Sequence, residues 1–325
     1  MKLGKLAWAL SLAVCGVASA GTVMPTRYGA GHFFLTPTLA SGEHLDMVVD
    51  TGGGGSGLVI WETEARRLGL KAATCPGFDG GMVEPPVFAK DSVLPSVARG
   101  CGKFGVSPGG VMTPMTGGQV SGWYLSAHTW TFDYPAHRLV LEASDWKPDA
   151  AAEALPIGLV MNAKGEIGIP YPRITLDVAG ERIDLLLDTG ATAHPSPAGG
   201  KAMGTEVDEH GFAGGSYIIT RVMDRWHKAH PDWPLVDGAD DLGGAGKATR
   251  AIRVPYVQVG RWRTGPVWFT ERPDKNFLDK GMSSIMDETV YGAAGGNIYA
   301  PFRMTVDYAH RKVWFTRVGE DTPGS

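Results

Sequence analysis

Leu45-Asp46-Met47-Val48-Val49-Asp50-Thr51-Gly52 is an apolar run that ends in Asp-Thr-Gly, and Ile183-Asp184-Leu185-Leu186-Leu187-Asp188-Thr189-Gly190 is a second. In the first, Leu45, Met47 and Val49 alternate with Asp46, Val48 and Asp50, so an extended strand sends one set to one face and carries Asp50 to its end. Thr-Gly then supplies a tight turn. The register extends outward on both sides. Gly42-Glu43 stands before the first run as Gly180-Glu181 stands before the second, and Gly122 precedes Asp133 by the same 11 residues that separate Gly296 from Asp307. Thr131-Phe132-Asp133-Tyr134 and Thr305-Val306-Asp307-Tyr308 both lead into apolar strands, Leu139-Val140-Leu141 and Val313-Trp314-Phe315. Matched spacing of this kind is the signature of a duplication, so Asp50 and Asp188 are expected at equivalent positions in two similar halves.

Outside these motifs the chain reads as turn-rich β structure. Its 325 residues can bury a core of two modest lobes, and 46 Gly with 22 Pro leave little room for continuous helix. Trp61, Ala65 and Leu68 fall at i, i+4 and i+7, a short amphipathic helix stopped by Gly69. Pro76-Gly77, Gly80-Gly81, Pro85-Pro86 and Pro108-Gly109-Gly110 make the stretch from Cys75 to Gln119 one of loops and hairpins, from which any flap over a cleft would come. The spacing from Asp188 to Gly296 exceeds that from Asp50 to Gly122 by 36 residues. Ile218, Ile219, Val222, Met223 and Trp226 within this excess predict an amphipathic helix from about Ser216 to His230. The expected organisation is a leader at 1–20, a first lobe at 21–144, a linker at 145–155 that includes Ala150-Ala151-Ala152, and a second lobe at 156–325 with a helical insertion.

The leader follows from Lys2 and Lys5 ahead of the apolar stretch Leu6 to Val17, with Ala18-Ser19-Ala20 as a cleavage site before Gly21. That stretch is short for a membrane span. An exported, periplasmic or secreted protein without stable membrane insertion is expected. Cys15 falls in the leader, preceded by Val14 where lipid attachment favours a small residue. Removing the leader leaves Cys75 and Cys101, which an oxidising compartment permits to pair, two free buried thiols being the alternative. Loss of Lys2 and Lys5 takes the formal charge from −4 to −6, and no basic run suggests nucleic acid.

Taken together, the paired motifs resemble those of the pepsin-like and retropepsin-like aspartic peptidases, over most of the chain from about Tyr28 to Phe315. Trp61 to Leu70, ending Leu68-Gly69-Leu70, is similar to the retropepsin-like helix that follows the first turn, and Ala191 fits the retropepsin-like residue after the tripeptide. The resemblance implies a mainly β, bilobal fold of two pseudo-symmetric closed β lobes with a cleft between them and few short helices. It implies an endopeptidase without a cofactor, a monomer acting on a peptide or protein substrate through a dyad of Asp50 and Asp188. Thr51 and Thr189 would brace the turns across the interface, and Gly52 and Gly190 would let backbone approach the carboxylates. Two departures point to the alternative of a catalytically silent peptide-binding or scaffold protein of the same fold. Gly53-Gly54-Gly55 matches neither pattern, and no Tyr or Trp lies between Lys71 and Ser121 to act as a flap aromatic.

Nine histidines complete the candidates. His227 and His230 sit i, i+3 on the expected helix with no ligand cluster to complete a metal site. His194, six residues past Asp188, is read as a surface residue, a cleft-facing cation being the alternative. Gly52 to Gly57 lacks the Lys-Ser/Thr ending of a phosphate loop.

Overall fold

The computed structural model describes residues 21–319, apart from 93, 96–98, 111–112 and 245. The expected leader and Cys15 lie outside them. The fold is mainly β with a few short helices. Among the described residues no helix is long and apolar enough to cross a membrane.

Each half repeats one plan. In the first, the strand Met47–Val49 runs parallel to Gly118–Val120, which pairs antiparallel with Leu58–Trp61, itself parallel to Phe104–Ser107. In the second, Glu181–Leu187 runs parallel to Gly292–Ala294, which pairs antiparallel with Ser216–Ile219, itself parallel to Val267–Arg272. The short helices Gly122–Leu125 and Gly296–Tyr299 follow the equivalent strands. Buried apolar side chains such as Met47, Val49, Leu185 and Leu187 hold the two Asp-bearing strands inside their lobes.

Between the lobes lies a six-stranded antiparallel sheet. Thr22–Val23, Arg138–Leu141 and Thr129–Asp133 come from the first half, and Phe302–Asp307, Lys312–Arg317 and Glu153–Met161 from the second. Thr131 lies opposite Thr305 at its centre, with the two hydroxyl oxygens 2.6 Å apart, which marks a local pseudo-twofold axis. Because Glu153 already pairs with Phe315, strand structure begins inside the segment expected to be linker.

The helix expected from Ser216 to His230 is Thr220–Ala229. Ser216–Ile219 is a strand instead, because its backbone is paired on both sides and Ile218 and Ile219 are fully buried. Val222, Met223 and Trp226 then form the buried helical stripe. This helix follows Ser216–Ile219 as Glu62–Arg67 follows Leu58–Trp61, so it occupies the equivalent place in the duplicated plan. Much of the extra length lies earlier: 28 residues separate Asp188 from Ser216, against 8 from Asp50 to Leu58.

Candidate active site

The two Asp-Thr-Gly turns meet at the lobe junction. Thr51 N–H donates to Thr189 Oγ1 at 3.1 Å, and Thr189 N–H donates to Thr51 Oγ1 at 3.0 Å. Each hydroxyl then donates to the strand of the other lobe, Thr51 to Leu187 O and Thr189 to Val49 O, both at 2.7 Å. Both threonines are buried. All four bonds cross the interface, so neither turn can shift without breaking bonds to the other.

This brace brings Asp50 and Asp188 together so that their carboxyls share a hydrogen bond. Gly52 N–H donates to Asp50 Oδ1 at 2.9 Å and Gly190 N–H to Asp188 Oδ1 at 3.0 Å. The glycines fit because each underlies the opposite carboxyl. A Cβ at Gly52 would fall 2.7 Å from Asp188 Cγ, and one at Gly190 2.3 Å from Asp50 Cγ. Burial raises the pKa of both acids; hydrogen bonds from Asp188, Gly52, Gly53 and Gly190 restrain the rise at Asp50, whereas the Asp50 charge adds to it at Asp188, which lies well above the ordinary carboxylate range. The two acids therefore titrate as one pair, with a single proton shared between them and one negative charge on the dyad.

The glycine run after Asp50 has separate local reasons. A Cβ at Gly53 would fall 2.7 Å from Asp50 Oδ2 and 2.1 Å from Gln119 Nε2, while Gly55 has φ +111°, a conformation that favours glycine. Gly54 meets only the Tyr171 hydroxyl, at 3.2 Å from its Cβ position. Beside the run a cavity of about 450 Å³ is lined in part by Gly54, Phe78, Val106 and Gln119.

The second turn is enclosed by side chains. Thr192 Oγ1 donates to Gly190 O at 2.8 Å and lies 3.1 Å from His32 Nε2, contributed by the first lobe. Tyr217 OH bonds both the N–H and the carbonyl of Thr192, and Arg272 donates to that carbonyl at 3.2 Å. Arg272 lies 4.0 Å over the Tyr217 ring and pairs with the buried Asp240 at 2.7 Å. Burial lowers the His32 pKa to about 4, so His32 is neutral at pH 7.

His194 is half-buried and pairs with Asp241, whose hydrogen bond raises its pKa. Cys75 and Cys101 form a disulfide with an S–S distance of 2.06 Å. Reading the sequence missed Tyr171, Trp123, Arg99, Gln119 and the enclosure of Thr192. Tyr171 carried one local signal, its place between Pro170 and Pro172 at the end of an apolar run. The others depend on contacts across lobes or between distant strands.

No family model and no curated protein sequence matches the chain. Solved structures similar to it include an aspartic proteinase from Irpex lacteus, 11% identical over 92% of this chain and 97% of that one, with a TM-score of 0.46. Basic 7S globulin from soybean is 10% identical over 91% and 95% of the two chains, with a TM-score of 0.43. A retropepsin-like aspartic protease from Rickettsia conorii is 11% identical, covering 52% of this chain and 95% of its own, at a TM-score of 0.29. The chemistry of the cleft rests on its own geometry.

Proposed function

We propose that the protein is an exported aspartic endopeptidase. The observation that carries this reading is the hydrogen bond shared by the buried carboxyls of Asp50 and Asp188. Two carboxyls this close cannot both ionise cheaply, an arrangement already familiar from aspartic proteases. A water bound between them loses a proton to Asp50 as its oxygen attacks the peptide carbonyl carbon, while Asp188 gives its proton to the carbonyl oxygen. On collapse of the tetrahedral adduct, Asp188 takes that proton back and Asp50 passes its own to the departing nitrogen, which restores the dyad. The brace through Thr51 and Thr189 supports this role because it fixes the carboxyls before substrate arrives. Export is supported by the sequence of residues 1–20 and agrees with the Cys75–Cys101 disulfide.

The test is cleavage of a mixed peptide library by mature protein across a pH series, beside Asp50→Asn, Asp188→Asn and the double variant. Each single change should lower kcat by about 10³-fold or more, with the double variant no worse, because the two acids act as one unit. Cleavage at the unaltered rate in either single variant removes that residue from the reaction. Peptide binding without cleavage in the unaltered protein would favour the silent peptide-binding alternative.

A further inference from the structure

Arg99 is an exposed cation that pairs with no carboxylate among the described residues, and it stands beside the first turn. Its guanidinium carbon lies 3.2 Å from the centre of a Trp123 ring and 5.2 Å from that of Phe78, which lines the cavity next to Gly54. The Trp123 side chain hydrogen-bonds Tyr171, and the Tyr171 hydroxyl sits over Gly54. Two charges act on Tyr171, those of Asp50 and Arg99. The backbone confirms the proximity. Gly100 is buried, and a Cβ there would meet the Ser56 carbonyl at 3.0 Å, just past the glycine run.

This placement is held rather than incidental. Cys101, two residues beyond Arg99, is tied to Cys75, three residues before Phe78, so the disulfide joins the two segments that present the guanidinium and the ring. Gly100 and Cys101 take left-handed conformations, with φ of 78° and 52°, and turn the chain sharply there. Stacking on Trp123 occupies one face of the guanidinium but leaves its N–H edge available to an acceptor. Surface arginines on this molecule commonly meet a carboxylate, as Arg67 meets Glu43 and Glu64, and Arg221 meets Asp274. Beside a dyad with one negative charge, an unpaired guanidinium offsets the repulsion that a second carboxylate would meet.

We infer that Arg99, backed by Trp123 and Phe78, is a specificity-determining residue that receives a carboxylate of the bound peptide, from either an acidic side chain or a free C-terminus. This rests on the peptidase reading for the identity of the ligand as a peptide, but not on turnover. The test therefore reads binding first. Fluorescent eight-residue peptides on one backbone, with Glu, Gln or Lys scanned through each position and each made as C-terminal acid and amide, are titrated against Asp188→Asn protein. Glu at one position should bind roughly three- to fivefold tighter than Gln, the range of an exposed ion pair, and the preference should fade in high salt. An acid-over-amide difference would instead locate the source at the C-terminus. Adding Arg99→Gln should erase the preference, Arg99→Lys should keep its sign, and Arg99→Glu should turn it toward Lys.

Loss of the preference in Arg99→Gln with unchanged melting temperature supports the assignment. Absence of any acid preference, or its survival in Arg99→Gln, overturns it. The same peptides given to unaltered protein separate the two readings. An Arg99-dependent preference without cleavage sinks the peptidase and keeps the subsite, whereas cleavage indifferent to Glu, Gln and peptide terminus sinks the subsite and keeps the peptidase.

Discussion

The first Asp-Thr-Gly turn is built on backbone, the second on side chains. Around Asp50 three glycines follow the tripeptide, and the side chains against them are Gln119, which donates to Gly54 O at 3.2 Å, the Tyr171 hydroxyl and Val59. Around Asp188 come Ala191 and Thr192, both buried and surrounded by His32, Tyr217, Arg272 and Asp240. The brace between the turns is nevertheless symmetric to within 0.1 Å in each pair of bonds. The duplication has thus retained what places the two carboxyls and diverged in what surrounds them. One side is anchored, while the other borders the cavity and Arg99.

The anchored side should show the largest energetic response. Arg272→Met leaves Asp240 buried without its cation, a change that costs about 3 kcal/mol, at the low end for a broken buried pair because the amides of His194 and Leu242 still donate to that carboxylate. Urea unfolding measures it. A cost below about 1 kcal/mol would mean that the enclosure of Thr192 adds little rigidity and that the contrast between the turns is one of appearance. On the open side the corresponding handle is the disulfide, whose closed loop spans a separation of 26 residues. In the chain-entropy description its reduction should destabilise by roughly 3 kcal/mol. Thiol titration before and after reduction, with melting curves, checks this, and free thiols in protein purified from an oxidising compartment would contradict it.

A third measurement compares the two acids themselves. Because the folded state raises the Asp188 pKa, the folded protein keeps a proton that the unfolded chain releases. Stability from this group is full below the unfolded carboxylate pKa and is lost as pH rises through the folded value. Asp188→Asn removes that loss, so it should stabilise the protein at neutral pH and make no difference near pH 3, by about 1.4 kcal/mol for every tenfold difference in proton affinity between the folded and unfolded states. Asp50→Asn should act in the same direction, since burial raises the Asp50 pKa too and removing its charge relieves Asp188. Melting temperature against pH for the three proteins decides it, and variants whose slopes match that of the unaltered protein would contradict the raised proton affinity of the pair.

Much of the fold was legible because duplication writes the same local pattern twice. Strand alternation into Asp50 and Asp188, the glycines at 122 and 296 and the helix stripe from Val222 to Trp226 are all short-range signals. The start of that helix was not legible, since Ile218 and Ile219 fit a helical stripe as well as they fit a strand, and only pairing with Gly292–Ala294 and Val267–Arg272 decides between them. His32 meets Thr192 from 160 residues away and Arg272 meets it from 80, distances over which one sequence carries no contact information. The absence of a flap aromatic between Lys71 and Ser121 counts toward the catalytically silent alternative. Tyr171, from the second lobe, stands over Gly54 instead.

The smallest effect tests the glycine run, which sequence alone treats as one unit. Gly53 and Gly55 each have a steric or conformational reason, whereas Gly54 has neither a positive φ nor backbone within reach of an added Cβ. Its one close neighbour, the Tyr171 hydroxyl at 3.2 Å, lies at the end of a side chain and can give by a few tenths of an ångström. Gly54→Ala should therefore restrict the unfolded chain and change stability by less than about 1 kcal/mol, with cleavage largely retained. Gly53→Ala places a methyl against Asp50 Oδ2 and should abolish cleavage even where the protein still folds. Melting temperature and peptide cleavage measured in parallel on both variants separate the positions. If Gly54→Ala silences cleavage as fully as Gly53→Ala, the open turn is as tightly specified as the enclosed one, and the division into an anchored and an accessible side fails.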